Sequence, residues 1–299
     1  RGDRSCERGP VRSNFPGDRI QASEKAVVSS QNAFQESGRR SSAGRASVAV
    51  RSAVFNIVFY VNVLVLMNGG LPSIFMGRRA AMGMAKLWAR TSLWFLDKIC
   101  GLRVEFRGLE LVPKDGVIIA AKHQSILETF ALIIHIPDFA YVFKRELNWI
   151  PLFGWYLMAV DQIAIDRSAG STALTQVTNG IARFLKERRA IFIFPEGTRR
   201  AVGAPPRYKH GVSHAYSTLG ARVVPVALNT GIFWPRRSFL RKPGTAVIEF
   251  LPVIEPGLTI EDFARRLQDT IETNTNALVD EAFRGDPGLR AEATDSSQS

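Results

Sequence analysis

Hydrophobic residues follow two different patterns along the chain, and the first is a single apolar stretch. Residues 53–67 contain no charged side chain. The stretch is shorter than the ~20 residues that cross a bilayer comfortably, and Asn56 and Asn62 interrupt it. After an Asn-Gly-Gly-Leu-Pro break, residues 74–76 are apolar again. We predict membrane-associated helices over residues 49–100, with a buried core helix as the alternative.

The second pattern consists of short β-type runs that alternate with helical ones. Residues 102–106 alternate strictly between apolar and polar side chains. Three runs are almost continuously apolar, as in buried strands, at residues 117–121, 190–194 and 223–228. Helical segments are predicted at residues 128–136, 171–189, 211–219 and 260–283. The alternation predicts an α/β fold, with a mixed, largely parallel sheet flanked by helices and preceded by the membrane-associated helices.

Polar segments mark both ends of the chain. Residues 1–48 are rich in Ser, Arg and Gly without a sustained apolar period, so we predict a disordered extension. Residues 286–299 have the composition of a disordered tail. We therefore expect one α/β domain over residues 101–285, after the membrane-associated segment at 49–100.

A histidine and a carboxylate follow the buried strand at residues 117–121. His123 comes two residues after the strand, and Glu128 comes five residues after His123. Ligands bind at such strand ends in open α/β sheets. A turn entering a helix can bring the carboxylate to one imidazole nitrogen, so that the other nitrogen accepts a proton from a hydroxyl. The alternative is a solvated pair at a helix start, and the spacing by itself favours this alternative over a catalytic pair.

A second polar group follows the apolar run at residues 190–194. It consists of Glu196, Gly197, Thr198 and Arg199. Backbone amides, a hydroxyl and a guanidinium at one strand end suit a phosphate monoester. Lys144 and Arg145 follow another short apolar run. They either complete a phosphate clamp or lie on a solvated edge.

These segments, together with the strand element at residues 224–227, resemble the glycerophospholipid acyltransferase family, most closely the bacterial 1-acylglycerol-3-phosphate acyltransferases. That family has four blocks in order. The first is a His and an Asp separated by four residues, and the second is a basic block that contacts phosphate. The third is a Glu-Gly-Thr-Arg block, and the fourth is a strand with a Val-Pro element. All four occur here in order over residues 123–228, and the resemblance extends over about residues 50–283. Glu128 departs from the pattern, because the family has Asp at this position.

The resemblance implies attack by the sn-2 hydroxyl of lysophosphatidate on an acyl thioester, acyl-CoA or acyl-ACP, to give phosphatidate. It implies no metal and no other cofactor. It also implies action at the cytoplasmic face of a bacterial inner membrane. His123 is then the general base and Glu128 its orienter. The implied substrate-binding residues are Lys144, Arg145, Glu196, Gly197, Thr198, Arg199 and Lys209. Glu196 binds a glycerol hydroxyl or pairs with a cation. Two alternatives stay open: another acceptor (glycerol 3-phosphate, a lyso-phospholipid or an acylated amine lipid), or a non-catalytic lipid-binding homologue.

Charge narrows the choice of partners. The chain has 39 Lys and Arg against 27 Asp and Glu, a net charge of +12, which favours anionic partners. Residues 199–242 contain nine basic residues and no acidic one. Interspersed Phe233, Trp234, Phe239 and Leu240 suit an anionic membrane surface or the phosphates of an acyl carrier protein, with a solvated basic face as the alternative. Nucleic acid is not expected, since no recognition signature accompanies the charge.

Overall fold

Strands and helices alternate throughout a computed structural model, which describes residues 44, 46–166 and 171–290. The predicted disordered extension at residues 1–48 lies almost entirely outside the described residues. The predicted tail at 286–299 overlaps them only at 286–290, where Leu289 is buried. From Val48 onward the described chain forms one compact unit.

The helices follow in the order α1 (Ala46–Gly69), α2 (Pro72–Phe75), α3 (Arg78–Phe95), α4 (Leu127–Ala131), α5 (Phe153–Ala159), α6 (Ser171–Lys186), α7 (Gly211–Leu219), α8 (Thr230–Phe233) and α9 (Ile260–Gly285). The strands are β1 (Leu102–Arg107), β2 (Val117–Ala121), β3 (Phe139–Lys144), β4 (Ile163–Ile165), β5 (Ala190–Ile193), β6 (Val223–Leu228) and β7 (Gly244–Phe250). A π-helical turn, Leu96–Cys100, continues α3, and 3-10 turns cover Leu109–Leu111, Leu132–Ile134 and Arg145–Trp149.

The strands form one sheet in the order β1-β7-β6-β2-β5-β3-β4. Neighbouring strands are parallel except for the antiparallel pair β6 and β7. The predicted mixed, largely parallel sheet is therefore confirmed. Because β6, β2, β5 and β3 are adjacent and parallel, their carboxyl ends meet at one edge of the sheet.

Helices cover both faces of the sheet, and the central strand β2 shows how. Val117 and Ile119 pack with Phe55 and Phe59 of α1 in one core. Ile118 packs with α6, α7 and α9 in a second core. Successive side chains of a strand point to opposite faces, so a strand with helices on both sides must be apolar at every position.

α1 and α3 form a helical hairpin against the sheet. Asn62 of α1 donates a hydrogen bond to the Thr91 hydroxyl of α3 over 2.9 Å. α1 has 24 residues, about 36 Å at 1.5 Å per residue, and is long and apolar enough to cross a membrane. The helix is longer than the apolar run at residues 53–67, because it continues through polar residues at both ends of that run.

Candidate active site

Four residues of chemical interest lie at the sheet edge where four parallel strands end. β2 leads to His123, β5 to Gly197, β3 ends at Lys144, and β6 leads to Thr230. The register pairs Ala120 of β2 with Ile193 at the end of β5. The turns that follow β2 and β5 therefore begin at the same level of the sheet. The sheet topology therefore brings together residues that are up to 107 positions apart in sequence.

His123 and Glu128 form the predicted hydrogen-bonded pair, with 2.8 Å between the imidazole Nδ1 and the Glu128 Oε1. Glu128 is fully buried. Its Oε1 also accepts the backbone N–H groups of Gln124 and Ser125 over 2.8 and 2.7 Å. Its Oε2 accepts the Thr230 hydroxyl over 2.7 Å. Four donors thus hold this carboxylate, and Nε2 is the ring nitrogen left for other chemistry.

The backbone around Glu128 places the carboxylate against the imidazole. Residues 122–126 fold around the carboxylate, and α4 begins only at Leu127. Gln124 Oε1 accepts the Gly231 N–H over 3.0 Å, which holds this loop against the start of α8. The His123 ring stacks on Phe194, with 3.9 Å between centroids. The imidazole is therefore oriented at both its edge and its face.

Glu196 belongs to a buried ion-pair network. Its Oε1 lies 3.0 Å from the Lys122 Nζ, which also lies 2.6 Å from the Glu272 Oε1 of α9. The Tyr208 hydroxyl donates to the Glu272 Oε1 over 2.9 Å. Burial raises the pKa of Glu196, and Lys122 opposes that rise. Glu196 therefore pairs with a cation, but with Lys122, which the sequence analysis had not considered.

The turn after β5 is shaped by Gly197, whose φ is +64°. A Cβ at this position would lie 3.1 Å from the Lys209 Cε and Nζ. The Gly197 N–H donates to the Phe194 carbonyl over 2.9 Å, which closes the turn. The Arg200 N–H donates to the His123 carbonyl over 2.8 Å. The glycine turn and the imidazole are thereby held together.

The remaining predicted substrate-binding residues are more accessible. Lys144 forms an exposed ion pair with Glu146 over 3.0 Å, and Arg145 lies 3.6 Å from the carboxylate of Asp166. Thr198 is exposed and Arg199 is half-buried. Exposed pairs contribute little to stability, so the cations are free to exchange these partners for a substrate phosphate at small cost.

A large apolar cavity of about 750 Å³ opens beside the imidazole. His123, Lys144, Gly197 and Lys209 are part of its wall. Arg145, Glu196, Thr198 and Arg199 are not part of its lining. The other wall residues are mostly apolar side chains of α1, α3, α4, α5, β3 and β5. Its size is within the range of about 300–1,000 Å³ that is usual for small-molecule sites.

Comparison with known proteins identifies the family. The model of the Acyltransferase family matches residues 103–229. The 1-acyl-sn-glycerol-3-phosphate acyltransferase of Pseudomonas aeruginosa is 36% identical over 196 residues, which cover 66% of this chain and 75% of the relative. The chain belongs to the 1-acyl-sn-glycerol-3-phosphate acyltransferase family. The Escherichia coli protein of that name is 32% identical over 176 residues, 58% of this chain and 71% of the relative.

The fold of this acyltransferase is also found in a solved structure. The crystal structure of the 1-acyl-sn-glycerophosphate acyltransferase of Thermotoga maritima superposes with a TM-score of 0.64 at 21% identity. The match covers 77% of this chain and 96% of the other. At this identity the likeness supports the α/β fold alone.

Sequence reasoning missed several residues that hold the acyltransferase site together. Thr230, Lys122, Glu272 and Tyr208 contact the predicted site residues or their partners. Lys122 carried a visible signal, because a charged residue directly after a buried strand needs a counter-charge. Thr230 carried none, since its partner is 102 positions away.

Proposed function

We propose that this acyltransferase moves a fatty acyl group from an acyl thioester, acyl-CoA or acyl-ACP, to the sn-2 hydroxyl of 1-acylglycerol 3-phosphate. The product is phosphatidate. The observation that carries this proposal is the His123–Glu128 hydrogen bond in the wall of an apolar cavity. The names of the related proteins support the choice of acceptor.

The proposed reaction needs one base and no cofactor. The His123 Nε2 accepts the proton of the acceptor hydroxyl while the oxygen attacks the thioester carbonyl. The new C–O bond forms, the C–S bond breaks, and the leaving thiolate takes the proton from the imidazolium. Glu128 stabilises that imidazolium and keeps Nδ1 protonated, so that Nε2 is the basic nitrogen. Because the thioester is already activated, positioning and proton transfer are sufficient.

The acceptor phosphate is proposed to lie beside the Gly197 turn. Lys144 and Lys209 bring two ammonium groups to the same cavity as the imidazole. Arg199 and Thr198 follow directly after Gly197, and Arg145 follows Lys144. A phosphate monoester carries almost two negative charges, so several cations around one pocket suit it.

The apolar part of the cavity is proposed to hold acyl chains. Trp88, Phe130 and Phe153 are among the residues of its wall. The reaction is proposed to take place at the cytoplasmic face of an inner membrane; α1 and the bacterial relatives support the association with that membrane. The basic segment at residues 199–242 is proposed to attract an anionic bilayer or the phosphates of an acyl carrier protein.

The test measures thiol release and lipid product with the purified chain in lipid micelles, across lyso-acceptors and both donor types. We expect acceptor-dependent release and phosphatidate as the product. The variant His123→Ala should lose this activity. His135→Ala is the matched control, because His135 packs on Phe106 and is not part of the cavity lining. Release without any acceptor would indicate a thioesterase, and turnover confined to another lyso-lipid would overturn the acceptor assignment.

A further inference from the structure

A group of large apolar side chains is exposed near the tip of the α1–α3 hairpin. We call it the apolar ridge, and it consists of Phe75, Met76, Trp149, Trp155 and Met158. Phe75 is 89% exposed and Trp149 is 78% exposed. Exposed apolar patches of this kind indicate a contact with another molecule or a membrane.

The ridge is built on a segment that is apolar on both sides. No charged residue occurs between Leu147 and Val160. Within α5, Tyr156 and Leu157 line the cavity, whereas Trp155 and Met158 do not line it and are exposed. A helix that is apolar all round is normally buried in a protein core or in a membrane.

Close packing holds the ridge in place. The Tyr156 hydroxyl of α5 donates to the Met67 carbonyl near the end of α1 over 3.1 Å. A Cβ at Gly154 would clash with the Asn148 carbonyl oxygen, so α5 sits directly on the preceding 3-10 turn. α5 also contacts α2. The exposed side chains therefore belong to a firmly packed surface.

The ridge continues the apolar surface of α1. Leu64 and Val65, close to the end of that helix, are both more than half exposed. α1 is long and apolar enough to cross a membrane. A surface that runs from such a helix onto α2 and α5 fits the same bilayer.

Charge favours lipid over a second copy of the chain. Arg78 and Arg79 follow Met76 after Gly77, and Lys144 and Arg145 come shortly before Trp149. Arg78 pairs with Asp138 and Glu187, whereas Arg79 is exposed. Tryptophan beside basic residues is typical of the boundary between acyl chains and anionic headgroups. A symmetric dimer through the ridge would bring the same cations of two copies towards each other, which is unfavourable.

We propose that the apolar ridge inserts into the bilayer as a second membrane contact beside α1. The opposite side of α5 is a wall of the cavity, so an acyl chain passes from lipid to cavity with little exposure to water. This route for the acyl chain rests on the proposed function, whereas the membrane contact does not.

A fluorescent probe on the ridge tests the contact directly. In a Cys6→Ser background of the full chain, Trp155→Cys is labelled with an environment-sensitive fluorophore and bound to phosphatidylethanolamine and phosphatidylglycerol vesicles. Ile260→Cys is the control, because Ile260 is 41% exposed and starts α9 on the other face of the sheet. We expect quenching by lipids spin-labelled on the acyl chain at position 155 only. Equal quenching by aqueous iodide at both positions, or protection at 155 that depends on protein concentration, would overturn the proposal.

Activity provides a second readout. For Trp149→Ser/Trp155→Ser, we expect turnover of a vesicle-borne long-chain acceptor to fall by about tenfold or more, as apolar contact with lipid is lost. Turnover of a short-chain soluble acceptor should stay within about twofold of the unmodified chain, because neither residue lines the cavity. Equal losses with both acceptors would contradict the insertion. If the unmodified chain turns over no acceptor, the proposed reaction fails while the fluorescence result still decides the membrane contact.

Discussion

Replacement of Glu128 by glutamine isolates the charge of the proposed general-base pair. The amide keeps one oxygen for the His123 Nδ1–H and the two backbone N–H groups that Oε1 accepts. Its NH2 group then takes the position of Oε2, where the Thr230 hydroxyl can rotate and accept. The hydrogen-bond geometry survives, and the negative charge is lost.

The expected loss follows from the change in ring charge during the reaction. The imidazole becomes a cation only as it takes the proton, so the carboxylate stabilises the transition state more than the ground state. Hydrogen bonds to charged groups contribute about 1.5–3 kcal/mol, which corresponds to about a 10- to 150-fold fall in kcat. Glu128→Asp keeps the charge, but its shorter side chain cannot reach all four donors. We expect a smaller loss for Asp than for Gln.

Steady-state thiol release with saturating acceptor measures kcat, and thermal unfolding checks that each variant is folded. Thr230→Ser is the matched control, because it keeps the hydroxyl that contacts the Glu128 Oε2. Thr230→Val removes that donor and should lower kcat with little change in KM. If Glu128→Gln is as active as the unmodified chain, Glu128 does not orient or stabilise the base, and the reasoning is refuted.

Four further predictions concern other parts of the site and core. His123→Ala should lower kcat by about 10²- to 10⁴-fold while circular dichroism shows an unchanged fold. Arg199→Ala should raise KM for the phosphorylated acceptor but not for the thioester; a change confined to the thioester would locate the phosphate contacts elsewhere. Lys122→Met should lower the free energy of unfolding by about 3–5 kcal/mol, because it leaves the buried Glu196 without its counter-charge. Burial raises the pKa of the Cys100 thiol to about 11, so in a Cys6→Ser chain alkylation at pH 8 should require unfolding, and rapid labelling of the native protein would contradict this.

Local patterns were sufficient for much of the fold. Buried strands β2, β5 and β6 are almost continuously apolar, and the long helices α6 and α9 repeat their apolar residues at helical spacing. These signals depend on near neighbours in the chain. The short helix α5 and the three-residue strand β4 were not predicted, because segments of this length carry few periods. Strand β7 was not predicted either.

The candidate site divides in the same way. The positions of His123 and Glu128 after a buried strand, and the polar turn from Glu196 to Arg199, were readable from the sequence. The contacts that hold the Glu128 carboxylate were only partly readable from nearby residues. One of them comes from Thr230, which reaches the carboxylate because β6 lies beside β2 in the sheet.

By itself, the sequence determined most of the strands and long helices and which residue types follow each buried strand, since both depend on contacts within a few residues. Only the tertiary structure decided their partners. It paired Glu196 with Lys122, which also contacts Glu272. It directed the Gly197 N–H to the Phe194 carbonyl and left Trp149 and Trp155 exposed. Each of these outcomes depends on which strands are adjacent and which helices cover them, and no pattern within one segment contains that information.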